Sequence, residues 1–180
     1  VTISKDRKHI TGYVKNNSGD VPANFANYFT IELSKPIVSG GTSTDNVATE
    51  GKIEAEGKKT LAYVVPDVKD GEELIVRVAS SFISPEQAQR NFDREVAGKS
   101  FDSVKAEAAK EWNTYMNRIK VEGGTDEQLR TFYSCLYRVL LFPRQFFEFD
   151  KGNKPIYYSP YDGKVHSGYM YTDNGFWDTF

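Results

Sequence analysis

The chemistry in this sequence is concentrated in residues 166–180, where His166, Tyr169, Tyr171, Asp173, Phe176, Trp177 and Asp178 lie close together. Trp177-Asp178 is the most specific pair. An indole offers a flat apolar face that stacks on a sugar's C–H face, and a neighbouring carboxylate can accept hydrogen bonds from two hydroxyls. The same pair fits a helix start, with Asp178 as N-cap and Trp177 packed beneath it. Spacing alone leaves both readings open.

The other candidates are weaker. His166 follows Asp162-Gly163-Lys164, which reads as a tight turn. The only other histidine, His9, lies in a strand-like region. A lone His without a second His or Cys at ligand spacing does not make a zinc site, so His166 reads as a solvated or hydrogen-bonded loop residue. Asp150-Lys151-Gly152-Asn153 lacks the alternating Asp/Asn and closing Glu of an EF-hand and reads as a turn. Glycoside hydrolysis needs an acid and a base across the scissile bond. Glu148, Asp150, Asp162, Asp173 and Asp178 are on offer, but no pair is marked. No phosphate-binding Gly-rich loop, nucleophile elbow or Cys–His arrangement occurs.

Composition narrows the class. Charged residues are 27% and hydrophobic residues 39%, as in a globular chain, and the net charge of −2 favours neither nucleic acid nor an anionic membrane. No run approaches the length of a membrane span. Aromatics are abundant, with 12 Phe, 11 Tyr and 2 Trp, which suits cores first and sugar sites second. The one cysteine, Cys135, excludes an internal disulfide and a thiolate metal site. It sits on the apolar face of a helical pattern and reads as buried filler.

The elements that must carry these residues divide into three. Residues 1–83 read as β, with period-two alternation at 10–14, 28–33, 60–65 and 74–79. Turns are expected at Asn16-Asn17-Ser18-Gly19, Ser39-Gly40-Gly41, Glu56-Gly57-Lys58 and Lys69-Asp70-Gly71. Short strands at this spacing predict an antiparallel β-sandwich, and five or so are too few to close a good one. Ser84-Pro85-Glu86-Gln87 is a capped helix start followed by Ala88, Phe92 and Val96, and Gly98 ends that helix. A second helix, capped by Ser100, runs to about Val121 with Phe101, Val104, Ala108, Trp112, Tyr115 and Ile119 in its stripe, which makes Trp112 a packing residue. Thr125-Asp126-Glu127-Gln128 is a capping box opening a third helix. Its stripe of Leu129, Phe132, Tyr133, Leu136, Tyr137 and Leu140 is wide, as in a helix packed within a larger helical array. Pro143 stops it. Residues 146–180 show no sustained period and read as a long ordered loop, a class of segment that commonly carries function.

The run Phe132-Tyr133-Ser134-Cys135-Leu136-Tyr137-Arg138-Val139-Leu140-Leu141-Phe142-Pro143 resembles the opening catalytic-domain helix of glycoside hydrolase family 92, the exo-acting α-mannosidases. In that family the helix leads through a D-G-x-x-H-like turn to Y-T-x-x-x-x-W-D-T-F, matched here by Tyr171-Thr172 and Gly175-Phe176-Trp177-Asp178-Thr179-Phe180. The resemblance runs back through the Trp112 helix and Ser84-Pro85-Glu86-Gln87-Ala88. It implies an α+β multidomain fragment: part of an N-terminal antiparallel β-sandwich at 1–83, a helical linker at 84–122, and the start of a helical (α/α)6-barrel catalytic domain at 123–180. It further implies a calcium-dependent, inverting exo-α-mannosidase of the periplasm, cell surface or exterior of a bacterium. Trp177 and Asp178 would line the pocket for the terminal mannose, with His166 and Tyr171 at its rim. The acid, the base and the calcium ligands have no counterparts here and fall outside the chain. Asn174-Gly175-Phe176 departs from the family's commoner hydrophobic-Ser-Leu segment.

On this reading the chain is a piece of a longer hydrolase, inactive alone, whose partners are mannose-containing glycans and the remainder of its own polypeptide. The alternative is a non-catalytic carbohydrate-binding or cell-surface β-sandwich module with a helical extension.

Overall fold

The computed structural model of the chain describes residues 1–17 and 19–172. These fall into two compact units. The first comprises Val1–Gly98 and Glu148–Gly168, and the second comprises Lys99–Phe147 and resumes at Tyr169.

The first unit opens with seven strands: β1 (Thr2–Ile3), β2 (His9–Val14), β3 (Asn27–Leu33), β4 (Ile37–Thr44), β5 (Val47–Glu50), β6 (Thr60–Pro66) and β7 (Val76–Ser81). They form two antiparallel sheets, one ordered β1-β2-β3-β7 and the other β5-β4-β6. Ile3 and Leu33 from the first sheet and Ile37 from the second are buried together, with Ile10, Ala62, Val64 and Leu74 packed against them. One apolar face from each sheet thus supplies the core, which is the expected sandwich.

The sequence pattern placed β2, β3 and β6, and set β7 two residues early. It missed β4. Ser39-Gly40-Gly41, expected as a turn, lies inside β4, the central strand of its sheet. Neither glycine appears among the residues with positive φ. Their role is close approach. A Cβ on Gly40 would strike the Tyr63 carbonyl, and one on Gly41 would lie 2.6 Å from the Tyr63 hydroxyl oxygen. The hairpin between β4 and β5 turns instead at Asp45 and Asn46, both left-handed at φ 49 and 67, as a tight two-residue turn requires.

Helix α1 (Pro85–Glu95) starts as predicted, with the Ser84 hydroxyl accepting the Gln87 N–H. Its Ala88 and Phe92 are buried, and it packs on the four-stranded sheet: the Thr30 hydroxyl donates to Gln89 and the Asn91 amide to the Ser80 carbonyl. Gly98 follows at φ 69.

The stretch from 146, expected as loop, supplies a third sheet to this unit. Strands β8 (Glu148–Phe149), β9 (Pro155–Tyr158) and β10 (Val165–Ser167) pair antiparallel in the order β10-β9-β8. They are too short to show an alternation in sequence. The two turns joining them are those expected, with left-handed Asn153 in the first and Gly163 in the second.

In the second unit, α2 (Phe101–Met116) is capped by Ser100 and α3 (Asp126–Val139) by a full Thr125/Gln128 capping box. Helix α2 ends before the expected Val121. Its last turn tightens at Asn117 and Arg118, and asparagine favours helix ends because its amide competes for backbone groups. Trp112 packs against Tyr137, ring centroids 4.5 Å apart. No residue of α2 or α3 is fully buried. Cys135, expected as buried filler, is exposed.

Candidate functional site

His166 sits on the β9–β10 hairpin of the first unit. It pairs across the strands with Tyr157, and the two rings stack at 5.6 Å with an interplanar angle of 28°. The neighbouring Tyr158 takes the opposite face, where it is buried against Phe25. Alternation therefore turns Tyr157 and His166 outward.

Asp162 closes the turn. It accepts the Lys164 N–H at 3.0 Å and lies 2.9 Å from His166 Nε2. The Lys164 N–H, the Ser159 hydroxyl and the His166 ring together hold its carboxyl at about 2. Ser159, itself buried, also accepts the Tyr161 and Asp162 N–H groups. Gly163 is left-handed at φ 71, and a Cβ there would lie 2.6 Å from the Asn24 amide oxygen. Asn24 donates to the Gly163 carbonyl and accepts from the Tyr158 hydroxyl. The hairpin is thus anchored from a residue far back in the chain. Asn24 carries no sequence signal for this. Ser159 three residues before Asp162-Gly163 does, as a Ser/Asp turn pattern.

Tyr171 belongs to the second unit. It makes an isolated bridge with Gln145, and its ring meets Phe147 edge-on at 5.6 Å. Tyr169 meets the same Phe147 ring edge-on at 4.8 Å. Thr172 ties this stretch to Arg144: its N–H donates to the Arg144 carbonyl and its hydroxyl accepts the Arg144 N–H. Both tyrosines are exposed. Trp177 and Asp178, and the Asn174-Gly175-Phe176 departure, lie outside the described residues.

The remaining candidate carboxylates of the described residues are engaged. Glu148 accepts the Phe82 N–H at 2.9 Å and the Asn91 amide at 2.7 Å. Gln87 completes that network, donating to Asn91 and to the Phe149 carbonyl and accepting from Arg90. Asp150 accepts the Gly152 and Lys154 N–H groups, which, with the Lys154 bond foremost, lower its pKa. It is a turn residue, as its sequence suggested. Among the described residues no three His, Cys, Asp or Glu side chains gather at one point. A cavity of about 390 Å³ lies elsewhere in the first unit, lined by Lys5, Arg7, Ile37 and Ile53 among others, and is lined by neither His166 nor Tyr171.

Residues 1–81 match the glycosyl hydrolase family 92 N-terminal domain and residues 87–180 the glycosyl hydrolase family 92 catalytic domain. Among solved structures, an inverting family GH92 mannosidase of Bacteroides thetaiotaomicron VPI-5482 is 54% identical, with a TM-score of 0.94 over 99% of this chain and 24% of that one. A family GH92 α-mannosidase from the same species, solved with mannoimidazole, is 25% identical, with a TM-score of 0.78 over 94% of this chain and 22% of its own. An uncharacterized secreted glycosidase of Arthroderma benhamiae is 32% identical over 87 residues, 46% of this chain and 11% of that protein. The chain therefore spans about a quarter or less of each of these relatives. The match of more than half its length to the catalytic domain, beside the N-terminal match, places the chain in glycosyl hydrolase family 92.

Proposed function

We propose that this chain is part of an inverting exo-α-mannosidase that removes α-linked terminal mannose from glycans. The observation that carries the reading is the 54% identity, across nearly the whole chain, to an inverting mannosidase of the same fold. Inversion requires an acid on the leaving oxygen and a base on a water, with the carboxyl groups about 6.5–9.5 Å apart. The engaged states of Glu148, Asp150 and Asp162 support placing both groups elsewhere in the polypeptide. This chain contributes binding residues: Trp177 and Asp178 to the mannose pocket, and His166 and Tyr171 to its rim. Residues 123–180 begin the (α/α)6-barrel, after the sandwich at 1–83 and the linker at 84–122.

Calcium, in this reading, is held by ligands in the remainder of the polypeptide, outside this chain. The protein acts outside the cytoplasm, in the periplasm, at the cell surface or secreted. The secreted glycosidase of Arthroderma benhamiae supports export. The test is hydrolysis of α-mannosides by the full-length protein, with and without a calcium chelator, following the product anomer by NMR.

A further inference from the structure

The outward face of the β9–β10 hairpin carries a histidine whose two nitrogens are made unequal by their surroundings. Nε2 lies 2.9 Å from Asp162 Oδ2. Asp162, held at about 2, is ionised at any working pH, and an ionised carboxylate only accepts. Nε2 must therefore carry the proton, and in the neutral ring Nδ1 is left as an acceptor. Nδ1 has no partner among the described residues. The ring is held against Tyr157, and its side chain is 41% exposed. A fixed lone pair on a half-exposed ring is matched by a hydroxyl donor, and sugars are rich in these.

We propose that His166 Nδ1 accepts a hydrogen bond from a hydroxyl of the mannosyl substrate, and that Asp162 is the positioning residue that fixes the tautomer able to do so. The inference rests on the functional reading above and adds to it a polarity: this nitrogen takes a proton donor and rejects an acceptor. Asp162 acts through His166 and itself touches no substrate.

Two variants of the full-length protein separate this from a merely structural role. His166→Gln keeps an N–H where Nε2 stood, for Asp162, and deletes Nδ1. Asp162→Asn retains an acceptor for the Lys164 N–H and turns an amide N–H toward Nε2. That moves the ring proton to Nδ1 and replaces the acceptor with a donor. Each change raises KM for an α-linked mannobiose about 5–10-fold, the worth of one neutral hydrogen bond, and leaves kcat unchanged. The double variant rises no further, because both substitutions remove the same contact. Unchanged KM in either variant, or losses that add in the double variant, overturns the proposal. Should Asp162→Asn fail to fold, the ring ¹⁵N shifts of His166 in the wild type decide. Protonation on Nε2 with a bare Nδ1 is expected, and a proton on Nδ1, with or without one on Nε2, overturns the proposal. A wild type that hydrolyses no α-mannoside overturns the functional reading and this inference together. An active wild type with insensitive variants overturns this inference alone.

Discussion

Glu148 accepts the Phe82 N–H with one oxygen and the Asn91 amide with the other. Asn91 is 9% exposed, so removing the carboxylate leaves donors with little access to water. Glu148→Ala should destabilise the chain by about 1–3 kcal/mol, the cost of leaving such groups unsatisfied. Chemical denaturation measures it, and a change near zero would show that Glu148 is not a strut. Its sequence context among loop carboxylates gave no hint of that role, because its partners lie 57 and 66 residues away. Asp162 was legible as a turn residue from Asp162-Gly163-Lys164. That its second oxygen orders His166 was not, since the bond depends on a hairpin too short to show a period.

Among the elements, β4 departs furthest from its sequence pattern. Its two glycines pack the strand against Tyr63 and its backbone. Gly41→Ala should therefore cost about 1–3 kcal/mol through overpacking. The thermal midpoint of the variant measures this, and a midpoint equal to wild type would mean the strand can shift freely. The helix starts were the most legible features, because Ser84, Ser100 and Thr125 carry their caps locally. Strands β2, β3 and β6 were legible because one face of each must be apolar over several residues. Strand β4 was not, because glycine writes the same signal for a turn and for close packing. Strands β8 to β10 were not, because two to four residues cannot establish a period.

Across the whole molecule, burial is uneven. The sandwich and α1 have buried residues from both sheets and the helix, whereas α2 and α3 bury none and leave Phe101 and Val139 72% exposed. Helices that bury no residue draw little stability from packing and are marginal in water. In the 180-residue chain alone, amides of α2 and α3 should exchange at close to unprotected rates while those of β3 and β7 stay protected. Hydrogen exchange read by mass spectrometry tests this, and equal protection throughout would contradict it. The family assignment makes sense of the imbalance: the chain belongs to glycosyl hydrolase family 92 and covers a quarter or less of its solved relatives.

The most direct test of the account is the anomer of mannose released first by the full-length protein from an α-mannoside, followed by proton NMR before mutarotation equalises the signals. The account predicts that the β-anomer appears first, since inversion of an α-linkage gives a β-product. Release of the α-anomer first, or no hydrolysis of any α-mannoside, would contradict it.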